Sequence, residues 1–324
     1  MRRVCPHWST ALARPDILAL ALGWAFAALP AAGDIAYVTN QNGGSVSILD
    51  LAAGTELAQV PLPGQPAGIA VAAGGFFAVL PDTKSLRRFD AAGNETGQVA
   101  LDGGPIGIAH DPLRGRVFVS DWYNARLWVV DSAAMSLTGT LETGTAPAGL
   151  AVSPDGRWLA SADKEAGQVS IFDLESLALA GTVPVGIRPF GLGFAPDGRL
   201  FVGNVGSNDV SVVDVAERHV LATLPVGDQP YGVAFARGRA FVTNQHADTV
   251  SVIDLGTLAP LGEIAVGEYP EGIDATADGA TVVVANWFSN SVSLIDAETL
   301  TVTAEIATGD GPRAFGRFIA ERGD

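Results

Sequence analysis

The chain has 324 residues, of which 48% are hydrophobic and only 17% charged, with a formal net charge of −16. So apolar a composition excludes a disordered polar chain and supplies enough side chains for a large core. The acidic balance argues against partners held through their phosphates, nucleic acid and anionic lipid among them.

At the N-terminus, Ile17 to Leu29 form an apolar run of 13 residues, preceded by Arg2, Arg3 and Arg14 and followed by Pro30, Ala31, Ala32 and Gly33. That is the layout of a secretory signal. The run is shorter than the roughly 20 residues that span a bilayer, so residues 1–33 read as a cleaved signal peptide and not as a retained anchor. Cleavage near Ala32 or Gly33 predicts a periplasmic or secreted protein with no stable membrane insertion. Cys5, the sole cysteine, leaves with the signal. Disulfides, thiol catalysis, thiolate metal sites and Cys-x-x-Cys-His haem attachment are thereby excluded from the mature chain. What remains carries 16 basic and 34 acidic residues, a net charge of −18.

From residue 34 onward the sequence repeats. Aspartates closing a Val-Ser-Val-Ile-Asp-like segment recur at Asp50, Asp90, Asp131, Asp173, Asp214, Asp254 and Asp296, spaced by 40 to 42 residues. A second register runs through Pro66, Pro105, Pro147, Pro189, Pro230, Pro270 and Pro312, with glycine two residues later in all but the last. Segments such as Thr249 to Asp254 and Ala240 to Asn244 have the period-2 pattern and β-branched content of strands. Pro154-Asp155-Gly156 and Pro196-Asp197-Gly198 read as hairpin turns.

Four short strands in a unit of about 40 residues, without helical periodicity, predict an all-β, seven-bladed β-propeller over residues 34–320, with 321–324 as a short tail. The mature chain begins inside a unit, at Ile35 to Asn40, and ends with Arg313 to Ile319. Laying the latter beside the former as the innermost strand closes the ring with strands from both ends.

The units resemble the YVTN-family (YncE-like) β-propeller repeat through Ala36-Tyr37-Val38-Thr39-Asn40, Phe241-Val242-Thr243-Asn244, Ser251-Val252-Ile253-Asp254 and the recurring Val-Gly-x-x-Pro, as at Val226 to Pro230. The resemblance covers essentially the whole mature chain and implies an exported repeat protein without an assigned reaction. Related propellers include quinoprotein amine dehydrogenase heavy chains and propellers associated with quinone-dependent catabolism. The first complete blade, with Phe77-Ala78-Val79-Leu80-Pro81 and Arg87-Arg88-Phe89-Asp90, departs from the repeat.

In such a ring, the loops entering each innermost strand and those joining second to third strands share one face, here called the top. The residue after each repeat proline belongs at its mouth: Ala67, Ile106, Ala148, Phe190, Tyr231, Glu271 and Arg313. The second set of loops contributes Gln41, Asn42, Gln245, His246, Trp287 and Phe288, with Trp122 and Tyr123 in another sector. Together with Arg188, these aromatics and charges form a surface that buries apolar area while a few charges orient a guest. The simpler alternatives are loop packing for the aromatics, and a partly exposed ion pair for Glu271 with Arg313.

His246 has no companion histidine at this mouth, and no third group completes a catalytic triad. No catalytic residue and no cofactor are expected. The carboxylates Asp121, Asp163, Asp228, Asp248, Glu268, Glu271 and Asp310 leave a hard divalent cation such as Ca²⁺ conceivable. The repeat aspartates, with Asn40, Asn204, Asn244 and Asn286, read as turn-forming residues. Trp128 and Trp158 read as packing between blades.

The expected function is a non-catalytic binding or docking module for a periplasmic protein or a small polar ligand. It could serve a quinone- or metal-linked oxidation system. The alternative is an enzyme: a metal-dependent lactonase or hydrolase of propeller type, or the large subunit of an amine dehydrogenase.

Overall fold

The computed structural model describes residues 1–3 and 34–320. The chain divides into a compact unit over Met1–Ala31, of which only the exposed residues 1–3 are described, and another over Ala32–Asp324. The signal-like segment and the tail at 321–324 lie outside the described residues. No helix among the described residues is long and apolar enough to cross a membrane.

Within the second unit the described residues form seven sheets in a ring, a seven-bladed β-propeller. Counted from Pro66, blades one to six span residues 68–100, 105–142, 147–184, 189–225, 230–265 and 270–307. Blade three shows the plan: Pro147–Val152 innermost, then Trp158–Asp163, Gln168–Asp173 and Leu179–Pro184, each antiparallel to the one before. Blade one, despite its divergent sequence, follows the same order with Gly68–Ala72, Gly75–Leu80, Ser85–Asp90 and Glu95–Ala100.

Burial explains the residue pattern. The two middle strands of a blade are covered on both faces by neighbouring blades, so Gln168–Asp173 is buried at every interior position. The outermost strand has one wet face and alternates, as in His219–Pro225. Each outer pair carries a register shift, for example between Val252 and Ile253, which increases the local twist. Trp128, 1% exposed, packs between blades one and two with Phe77, Val79 and Val119 as expected. Burying a side chain of that kind contributes on the order of 2–3 kcal/mol.

The glycine two residues after each repeat proline but the last is a close-approach residue. A Cβ on Gly191 would stand 1.8 Å from the Tyr231 carbonyl oxygen, and one on Gly107 would stand 2.0 Å from that of Ala148. Only glycine lets neighbouring innermost strands converge this tightly on the channel.

The repeat aspartates close turns as expected. Asp173 accepts from the backbone N–H groups of Glu175 and Ser176, and Asp296 from those of Glu298 and Thr299. The asparagines act differently. Asn244 ends a second strand and donates sideways to the hydroxyls of Thr249 and Ser251, and Asn40 does the same to Ser45 and Ser47. They tie second strand to third instead of capping a turn.

Both chain ends close the ring, but the closing strand is split. Pro312 bridges Asn40, and Ile319–Ala320 pairs with Ile35 and Ala36 in the seventh blade. Between them Phe315–Arg317 leaves that blade and runs parallel to Gly68–Ala72 of blade one. The uninterrupted strand expected over Arg313 to Ile319 is therefore corrected to two short pieces. The cause is surplus chain: seven steps from Pro312 to Ile319 oppose four from Asn40 to Ala36. In blade three, five steps from Pro147 to Val152 oppose four.

Candidate functional site

The seven post-proline residues do surround the top of the channel, where the expected surface ring is largely a plug. Phe190, Tyr231 and Phe315 pack with Ala148, partly covered by Ile106, Trp122 and Val205. Ring centroids lie 4.5 Å apart for Phe190 and Tyr231, 5.2 Å for Phe190 and Phe315, and 5.6 Å for Tyr231 and Phe315. Tilted aromatic contacts of this kind add about 0.5–1.5 kcal/mol each beyond burial, which holds the three rings together as a floor.

Beside the plug lies a buried polar network. Arg313 donates from Nη2 to the Tyr231 hydroxyl at 2.5 Å and from Nη1 to Gln41 Oε1 at 2.8 Å, with Nε 3.2 Å from Glu271 Oε2. Gln245 Nε2 donates to Glu271 Oε1 at 2.7 Å. Burial pushes the Glu271 carboxyl above the usual range, against the opposing pull of Arg313, Gln245 and Tyr231. Burial also drives the Tyr231 hydroxyl far up. For Arg313 burial disfavours the cation, yet Tyr231 and Glu271 outweigh it and hold the guanidinium above its ordinary value. Arg313 also lies over the Trp287 ring, 5.6 Å from its centroid.

Around this floor the remaining residues separate. His246 and Phe288 both contact Tyr269, at 5.4 and 4.8 Å between ring centroids, giving a short aromatic row on the rim. His246 Nδ1 is 3.9 Å from Asp228 Oδ2. Tyr123 lies apart, 78% exposed, beside Gly104. Arg188 is exposed and 3.5 Å from Glu165. The carboxylates scatter: Asp121 accepts from Gly104 N–H, Asp163 from Gly144 N–H and Asp248 from Tyr269 N–H. No group of three or more metal-ligating side chains gathers among the described residues.

Sequence reasoning passed over Lys164. Its ammonium sits 4.9 Å from the Trp122 ring centroid and 5.4 Å from that of Phe190. The ammonium makes no hydrogen bond or ion pair among the described residues, while the Lys164 backbone N–H donates to the Ala146 carbonyl. Burial lowers its pKa, Glu165 opposes that, and the fields of Arg188 and Arg313 lower it further. Lys164 and Arg188, together with Glu165 and Asp209, line an open cleft of about 460 Å³ between blades three and four. The position was readable: the residue after each second strand runs Gln41, Pro81, Trp122, Lys164, Val205, Gln245, Trp287 around the same mouth. Tyr269, just before a repeat proline, was passed over as well.

Below the plug the channel opens into a cavity of about 680 Å³ toward the bottom face, with Phe315 in its lining. It is larger than the top cleft.

No protein-family model and no curated protein sequence matches the chain. Solved structures do match in fold. A functionally unknown protein from Desulfotomaculum acetoxidans is 14% identical, with 89% of this chain and 98% of that one covered, at a TM-score of 0.73. A streptogramin B lyase is 16% identical, covering 80% and 92%, at 0.68. Kuenenia stuttgartiensis hydrazine synthase is 18% identical, covering 73% and 96%, at 0.53. At these identities the likeness is one of fold.

Proposed function

We propose that this chain is an exported, non-catalytic binding module of the YVTN (YncE-like) kind, whose top face docks an acidic segment of a partner protein. The observation that carries the reading is Lys164. A half-buried ammonium is held against Trp122 and Phe190 with no hydrogen bond or ion pair among the described residues, Glu165 reaching it only through its field, beside Arg188, in a chain of net charge −16. Desolvated cations over aromatic rings are costly to leave unpaired, and a carboxylate from outside supplies the missing charge.

A protein is the favoured guest because Tyr123, Ile187 and Phe288, 62–78% exposed, stand on loops of this same face. Large apolar side chains around a desolvated charged centre are the composition of a docking surface. The repeat residues support the family reading, and the Arg-flanked run at Ile17 to Leu29 supports export.

The test is fluorescence anisotropy with two labelled peptides, one alternating Glu with Phe and the other Gln with Phe. The acidic peptide binds, the neutral one binds at least tenfold more weakly, added salt weakens the acidic complex, and Lys164→Glu abolishes the preference. Equal binding of both peptides, or an unchanged preference in Lys164→Glu, overturns the reading. Elemental analysis separates it from the hydrolase alternative, which requires one equivalent of divalent metal.

A further inference from the structure

The lower cavity is independent of the face described above, because the Phe190, Tyr231 and Phe315 plug divides the two. At about 680 Å³ it falls in the range of sites that enclose small organic ligands. Its walls come from the lower halves of the innermost strands and include Ile108, Leu150, Leu192, Phe194, Val233 and Ile273. An apolar body would be flanked by these walls, with the cavity open toward the bottom face.

Four titratable or charged side chains line the cavity, and three of them are committed. Asp111 accepts from Leu113 N–H, Arg114 N–H and the Arg114 guanidinium. Asp274 accepts from Phe318 N–H at 2.9 Å, Ile319 N–H at 3.1 Å and Ala275 N–H at 2.9 Å. His110 Nδ1 lies 3.3 Å from the Val71 carbonyl, and its ring packs on Phe77.

Arg317 is the fourth. Its exposed side chain makes no hydrogen bond and no ion pair among the described residues, although its field pulls the Asp274 pKa down. The split closing strand puts it there. The surplus residues between Pro312 and Ile319 take Phe315–Arg317 off the seventh blade and along Gly68–Ala72, so a cation lines a channel otherwise walled mostly by apolar side chains.

We propose that the lower cavity binds a small molecule with an apolar body and a single carboxylate, the body filling the channel and the carboxylate paired with Arg317. An arginine fork matches a carboxylate with two parallel hydrogen bonds, which an alcohol of equal length cannot use.

Isothermal titration of the purified chain with octanoate and with octan-1-ol tests this. Octanoate binds with one site per chain and at least tenfold more tightly than octan-1-ol. Arg317→Gln brings octanoate down to the affinity of the alcohol while leaving the alcohol unchanged, and Arg317→Lys recovers part of the difference. Circular dichroism verifies that each variant is folded. Equal affinity for the two ligands in the wild type, or an octanoate affinity unmoved in Arg317→Gln, overturns the proposal. Lys164→Glu has no effect on either titration, so failure at the top face and failure here are told apart.

Discussion

Arg313 Nε stands 3.2 Å from Glu271 Oε2, with the two side chains 15% and 6% exposed, and the pair joins the closing segment to blade six. Both residues follow a repeat proline. Two adjacent positions of the ring that elsewhere carry alanine, isoleucine or aromatics here carry opposite buried charges.

Removing one partner is therefore more harmful than removing both. Arg313→Met leaves the Glu271 carboxylate buried and unpaired, and is expected to cost about 3–5 kcal/mol. The double variant Glu271→Leu with Arg313→Met recovers a large part of that. Urea denaturation of the single and double variants measures the coupling, and additive losses would show the charges to be independent.

Gly191→Ala tests the close approach of innermost strands. The new methyl meets the Tyr231 carbonyl, a backbone atom that cannot step aside, so a loss of about 3 kcal/mol or more is expected. At Gly238, with φ of +71° and nothing within 4 Å of an added methyl group, alanine costs only the strain of the left-handed backbone, about 1 kcal/mol. Denaturation midpoints compare the two.

Asp163 gives a pH signature. Burial raises its carboxyl above the ordinary aspartate value, opposed by hydrogen bonds from Ser170, Gly144, Ser161 and Gln168. Its pKa is higher folded than unfolded, so the folded chain binds more protons in that window and stability falls as pH rises through it. Asparagine, which the repeat uses at the equivalent Asn204, removes the titration. Asp163→Asn is expected to gain stability relative to wild type between pH 4 and pH 8. A difference in melting temperature that is the same at both pH values would contradict this.

Asp274 holds the seam. Its carboxylate takes the N–H groups of Phe318 and Ile319, so Asp274→Ala strands two backbone donors at about 1–3 kcal/mol each. Amide hydrogen exchange at Ile319 should accelerate at least tenfold while Leu294, in the middle of blade six, keeps its protection.

The repeat made the propeller legible because each blade restates the same proline, glycine and aspartate, and each has a local reason: convergence on the channel for glycine, turn closure for aspartate. It also located the post-proline ring around Phe190, Tyr231, Glu271 and Arg313. The depth of that ring was not legible, since Phe315 rises into it from the closing segment, whose split path has no counterpart in another blade. Lys164 was hidden by its neighbours: between Asp163 and Glu165 a lysine reads as a solvated charge. The structure turns Asp163 inward onto Gly144 and leaves Lys164 on the rings of Trp122 and Phe190. The lower cavity is a property of seven strands together, and no single repeat contains it.

The aromatic plug separates the two sites proposed here, a docking face around Lys164 above and a carboxylate-binding cavity below. Titrating the acidic peptide into the chain with and without saturating octanoate, for the wild type, Lys164→Glu and Arg317→Gln, tests this separation most directly. The expected result is unchanged peptide affinity in the presence of octanoate, at least tenfold weaker binding of the acidic peptide alone in Lys164→Glu, and loss of the carboxylate preference alone in Arg317→Gln. Competition between the two ligands, or one substitution abolishing both, would contradict it.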